Sequence, residues 1–159
     1  MPAAAPGSLR LIQSLAEPGT DLLRTREEAA AWLRTAGLLP AEAALSNSEH
    51  AALLRLREAV RDVLAAHADG REDPEAAARL TKALAEGRLA VTVDPASTVR
   101  LASAARASYP SVVAAVAVAM AESAAAGTWL RLKSCPAPGC GRPFYDDSGL
   151  SACPVHVAG

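Results

Sequence analysis

The chain has 159 residues, 51% of them apolar, with five aromatic side chains and a formal net charge of -1. That length suits one domain with a small appendage and is enough to bury a core; the near-neutral charge excludes a global field that would hold nucleic acid or an anionic membrane by charge alone. The longest apolar run, Val112 to Ala121, falls short of the about 20 residues a bilayer span requires, and no basic stretch precedes an apolar one at the N-terminus, so neither a membrane span nor a signal peptide is expected and a cytoplasmic location follows.

Residues 1–8 are rich in Pro, Ala and Gly and are expected to be disordered. Leu9 to Ser14 reads equally as a short strand or a first helical turn, since six residues are too few for periodicity to decide, and Pro18-Gly19 breaks it. Thr25-Arg-Glu-Glu28 is a capping box that opens a helix to about Ala36, with Ala29, Trp32 and Leu33 on its buried side and Gly37 after it. Ser46-Asn-Ser-Glu49 repeats the signature and opens a longer helix to about Ala68, with Leu53, Leu56, Val60, Val63, Leu64 and His67 at helical spacing. His67 on that stripe reads as a satisfied core or helix-end histidine rather than a ligand. Arg55, Arg57 and Arg61 read as a solvated face.

Asp73-Pro74 predicts a third helix over about 74–86, a cap followed by proline at the first helical position, with Gly87 at its C-terminal end. Leu89 to Val93 and Thr98 to Ala102 are β-prone runs joined by Asp94-Pro-Ala-Ser97, a hairpin. Two strands alone are marginal, so the hairpin is expected to lie against helices or to gain the Leu9–Ser14 segment as a third strand. Pro110 to about Ala126 is a helix apolar on nearly every side, closed by Gly127; such a helix is central, enclosed by the others or by a second copy of the chain, which makes a homodimer an expected partner state. The fold class is therefore mostly α (α+β): a helical bundle with a small β-hairpin, divided as 9–133 for the body and 134–159 for a C-terminal module.

All three cysteines fall in that module. Cys135 and Cys140 form a Cys-x4-Cys pair, and Cys153 and His156 a Cys-x2-His pair, twelve residues apart. Paired spacings of this kind turn thiolates and imidazole toward one point, as a tetrahedral Zn2+ with four N or S ligands requires. The competing readings are small buried thiols, or one disulfide with a leftover cysteine. Four soft protein ligands leave no position for water or substrate, so a structural rather than a catalytic zinc is expected, and its binding energy becomes folding energy for a tail with little core of its own.

The run Leu130-Arg-Leu-Lys-Ser-Cys135-Pro-Ala-Pro-Gly-Cys140-Gly-Arg-Pro-Phe144-Tyr-Asp146-Asp-Ser148 resembles the CGNR zinc-finger family, whose N-terminal half is the ABATE domain. More loosely, Leu11-Ile-Gln-Ser14 stands where that family has Phe-Val-Asn-Thr. The resemblance covers most of the chain and implies a stress-induced transcription regulator with a treble-clef-like or ribbon-like zinc finger that contacts DNA. The module departs from the family pattern: the loop between ligand pairs is shorter, Ser151-Ala152 precede Cys153, and His156 replaces the last cysteine. From Arg131 onward Arg131, Lys133 and Arg142 face Asp146 and Asp147, a local balance of +1, so few phosphate contacts are available.

Two further classes of function stand beside the regulator. One is an interaction or scaffold protein in which zinc only staples the C-terminus and the body meets a protein partner; the other is a body that holds a small-molecule effector or acts on it. Outside the module there is no Ser/His/Asp ordering, no phosphate-cradling glycine loop and no acidic pair at a catalytic spacing, and His50 and His67 lie seventeen apart on one helix. If DNA is bound, Arg131, Lys133 and Arg142 are the expected phosphate contacts. Phe144 and Tyr145 are expected to pack in the core of the module.

Overall fold

The structure is a computed structural model that describes residues 5–18, 21–106 and 108–157. Among them are six α-helices: α1 (Gly7–Ala16), α2 (Arg26–Thr35), α3 (Asn47–Asp69), α4 (Pro74–Leu84), α5 (Tyr109–Ala125) and the short α6 (Pro154–Val157). Four strands form two antiparallel hairpins, β1 (Leu89–Val93) with β2 (Val99–Ser103), and β3 (Leu132–Ser134) with β4 (Pro143–Tyr145). The mostly helical class with a small hairpin is as expected.

Local chemistry sets the helix starts. Both expected capping boxes form: the Glu28 N–H donates to Thr25 Oγ1 at 3.1 Å while the Thr25 N–H donates to Glu28 Oε2 at 3.0 Å, and Ser46 and Glu49 repeat the exchange at 3.1 and 2.7 Å. Asp73 caps α4 through the Ala76 N–H at 2.9 Å. Apolar spacing then sets the packing. Leu53, Leu56, Val60 and Leu64 of α3 are fully buried against Leu9, Ile12 and Leu15 of α1 and Val112, Val113 and Val116 of α5, in one core that also takes Leu33 from α2. α5 is enclosed by α1, α4 and β2, so its apolar character is used within one chain and supplies no argument for a second copy.

Four readings of the sequence are settled or revised by the fold. Of the two readings of Leu9 to Ser14 the helical one holds: the segment is the middle of α1, since Leu15 and Ala16 complete the spacing that six residues left open; the hairpin accordingly stays two-stranded. Of the segment expected to be disordered, residues 5–8 are described and ordered, with Ala5 buried and Gly7 opening α1; residues 1–4, and Gly19 further on, lie outside the described residues. Arg57 does not belong to a solvated face: it is 9% exposed and donates from Nη2 to the Glu17 carbonyl at 3.0 Å, closing the C-terminal end of α1. Gly87, expected at the C-terminal end of the third helix, lies beyond the last turn of α4, which ends at Leu84. A Cβ there would stand 3.0 Å from the Ala114 backbone nitrogen and 3.2 Å from the Leu84 carbonyl oxygen, so the close approach of α5 favours glycine.

Candidate metal centre

The module is built outward from the core. After α5 a 3-10 turn at Trp129–Arg131 leads into β3, and Leu132 and Tyr145, opposite each other in the β3–β4 register, both belong to the main core. His67 of α3 is bonded through Nδ1 to the Leu132 carbonyl at 2.8 Å and meets the Trp129 ring edge-on, centroids 5.0 Å apart. It is the satisfied histidine the sequence suggested. Burial is the main influence on its imidazole, lowering its pKa; Lys133 acts in the same sense, and the Leu132 carbonyl only partly opposes them.

Between β3 and β4 the chain makes a tight knuckle. The Cys135 N–H donates to the Arg142 carbonyl at 2.8 Å and the Cys140 N–H to the Ala137 carbonyl at 3.0 Å. Gly139 and Gly141, at φ 74° and 59°, take left-handed backbone on both sides of Cys140 and turn its sulfur back toward Cys135. The second pair comes from α6: the His156 N–H donates to the Cys153 carbonyl at 2.9 Å, so one helical turn places both side chains on one side. A strand-borne knuckle thus faces a short helix, and the expected C-terminal Cys/His cluster lies between them. Cys135, Cys153 and Phe144 are buried in a small cluster of their own with Ala137, Cys140, Leu150 and Ala152 around it, while Tyr145 faces the main core.

The four side chains converge. All three cysteines are free, and the donor atoms of Cys135, Cys140, Cys153 and His156 lie within 4.8 Å of one another. Cys140 and Cys153 sulfurs are 3.8 Å apart, Cys135 Sγ is 3.5 Å from His156 Nδ1 and Cys153 Sγ 3.2 Å from the same nitrogen. A tetrahedron with metal–sulfur bonds of about 2.3 Å and a metal–nitrogen bond of about 2.0 Å has S···S edges of about 3.8 Å and S···N edges of about 3.5 Å. The cluster could therefore hold a tetrahedral metal ion. Burial pushes the Cys135 thiol up, but hydrogen bonds from the backbone of Cys153 and Ala137 and from the neighbouring thiols outweigh it and bring it to about 6. The Arg142 N–H pulls Cys140 down, yet burial and the sulfurs of Cys135 and Cys153 leave it above the ordinary thiol value. Sulfurs this close compete for their protons, which a cation among them would relieve.

Asp146, counted in the sequence only as an opposing charge, organises the loop between the ligand pairs. One carboxylate oxygen accepts from the Gly149 and Leu150 N–H groups at 2.7 Å each; the other pairs with Lys133 Nζ at 2.6 Å, the Asp146 side chain being 9% exposed. The signal was readable: an Asp followed by Asp-Ser-Gly is a turn former whose side chain bonds backbone further on. Of the three expected phosphate contacts, Lys133 is thus engaged with Asp146, Arg142 Nε stands 3.3 Å from Glu17 Oε1 at the end of α1, and Arg131 is exposed.

A helical body whose C-terminus closes into a Cys3His cluster defines a mostly helical protein with a C-terminal cluster that could hold a metal ion. Within that class the chain belongs to the ABATE family, described as "Putative stress-induced transcription regulator", whose profile matches residues 7–127. The match runs from the first residue of α1 to the glycine after α5, so it covers the body and stops short of the module. A comparison with curated proteins found no match. No helix among the described residues is long and apolar enough to cross a membrane.

Proposed function

We propose that this chain is a cytoplasmic transcription regulator of the CGNR zinc-finger type, in which Cys135, Cys140, Cys153 and His156 hold one structural Zn2+. The observation that carries the reading is the set of four soft donors within 4.8 Å of one another, three of their separations near tetrahedral edges, directly continuous with a body of the regulator family. When bound, zinc supplies no reaction here: with four protein ligands it is a cross-link that fixes the fold of the tail. The protein's own groups do the rest. The β3–β4 hairpin and α6 bring the ligands together, Asp146 shapes the loop between them, and His67 ties the module to α3. The division into a body over 9–133 and a module over 134–159 follows the ligands, although the two share a core.

DNA contact belongs to the same proposal. Arg131, Lys133 and Arg142 lie along the module's start and knuckle, and phosphate binding by this face would draw on Arg131 directly and on the other two at the cost of their ion pairs. Affinity is therefore expected to be low and strongly salt-dependent. The engagement of Lys133 and Arg142 favours a second reading, in which zinc only staples the C-terminus and the regulator works through protein contacts.

Metal analysis of the purified chain tests the first part: about one zinc per chain, falling to a small fraction in Cys135→Ser. A salt titration against random duplex DNA separates the readings. Binding near 50 mM salt that weakens steeply with added salt and is reduced by Arg131→Ala supports DNA contact; no binding under those conditions removes it and leaves the stapled interaction module.

A further inference from the structure

The β1–β2 hairpin is turned the wrong way for an ordinary half-buried sheet. In its register Leu89 opposes Ser103, Val91 opposes Leu101 and Val93 opposes Val99, and side chains of alternate residues share a face. One face thus carries Leu89, Val91, Val93, Val99 and Leu101, and it is the outer one: these side chains are 44%, 65%, 64%, 67% and 37% exposed. The other face has Ala90 and Ala102, both half-buried, with Thr92 and Arg100. β2 lies against α5, and Gly87 just before β1 touches the α5 backbone. So close an approach leaves room only for alanines beneath the ribbon, and the large aliphatics are forced outward. This inverts the usual rule that the apolar face of an antiparallel pair meets the core.

We propose that this outer face is a self-association surface, covered in solution by the same face of a second copy of the chain. Charge is the first reason. Every side chain on the face is uncharged; Arg88 and Arg100 fall on the opposite parity and Asp94 in the turn, where its carboxylate accepts from Ala96 and Thr98. Around a two-fold axis each residue meets its own counterpart or a near neighbour, so a charged face repels itself and an uncharged aliphatic one does not. Area is the second reason. The five exposures amount to an apolar patch on the order of 400 Å² per chain, the size of the largest patch on a typical monomer, which is often a functional surface. Two copies stacked face to face remove about 800 Å² from these side chains alone, and with the flanking turn about 1,000 Å², the lower limit for a specific contact. The dimer is accordingly weak and reversible, with a dissociation constant on the order of 10 μM. A two-stranded ribbon that is marginal alone becomes one half of a two-layer stack. The argument does not depend on the metal or on DNA.

The test uses the full zinc-loaded chain in sedimentation velocity from about 1 to 200 μM. The wild type shifts from monomer toward dimer across that range. Val91→Glu and Val91→Lys, each alone, weaken association at least tenfold, and mixing the two restores it, because opposite charges then meet across the former two-fold axis. Should either charged variant fold poorly by circular dichroism, Val91→Thr with Val99→Thr keeps the β-branched shape and weakens association on its own. A wild type that stays monomeric at 200 μM overturns the proposal, including when the face is found to bind a different protein. A dimer unaffected by Val91→Glu and by the double threonine variant places the interface elsewhere and overturns it equally.

Discussion

Replacing His67 with Phe isolates the link between the helical body and the metal module. Phe retains the ring and its edge contact with Trp129 but cannot donate to the Leu132 carbonyl, which His67 Nδ1 holds at 2.8 Å. Leu132 is fully buried, so the abandoned acceptor finds little water, and an unsatisfied buried carbonyl costs about 1–3 kcal/mol. For a chain of this length that loss lowers the melting temperature by about 3–10 °C. The pH dependence sharpens the test. The folded-state pKa of His67 is lowered, chiefly by burial, so the unfolded state takes up its proton first. The histidine's stability contribution is complete above the unfolded value of about 6.5 and is lost as pH falls below it. His67→Phe abolishes that component. The assay is urea unfolding of both zinc-loaded proteins between pH 5.5 and 8, read as the difference between them so that acid release of the metal largely cancels. If His67→Phe matches wild type at pH 8 while His67→Ala is weaker, the ring contact holds the module and the hydrogen bond does not.

Asp146→Ala removes both the loop bonds to Gly149 and Leu150 and the pair with Lys133; it is expected to cost about 2–4 kcal/mol and to weaken zinc in competition with a chromophoric chelator. Asp146→Asn, which keeps an acceptor for the loop, should lose less than half as much. Gly87→Ala forces a methyl group against backbone atoms of Ala114 and Leu84 that cannot rotate away, and thermal unfolding should show a loss of about 1–3 kcal/mol. Arg57→Met keeps the buried stem but gives up the bond to Glu17 while freeing the core of a charge whose Nε has no partner; stability is expected to stay within about 1 kcal/mol of wild type, against a loss of about 2 kcal/mol or more for Arg57→Ala.

Much of this fold was legible because its signals are local. The two capping boxes, the Asp73-Pro74 start and the hairpin turn each involve four or five residues, and each formed as read. The convergence of the three cysteines and His156 was legible for the same reason, the two pairs being short and separated by one loop. What escaped was decided by neighbours distant in sequence. Arg57 reads as one of three arginines along α3, and only the end of α1 arriving from forty residues away turns it into a buried cap. The orientation of the β1–β2 face follows from the gap left by α5, which no strand periodicity contains. Lys133 and Arg142 looked alike as charges near the cysteines, and their commitment to Asp146 and Glu17 depends on how the module rests on the body.

Leu132 and Tyr145 lie in the main core although they flank the metal ligands on either side. A fragment ending at Lys133 would cut β3 short and lose its pairing strand and the Tyr145 ring, leaving a hole in the wall of the helical body. A fragment beginning at Ser134 would carry Tyr145 with nothing to bury it. Because Leu132 and Tyr145 belong to the main core, a metal ion held by Cys135, Cys140, Cys153 and His156 would, on removal, be felt as loosened packing around α3.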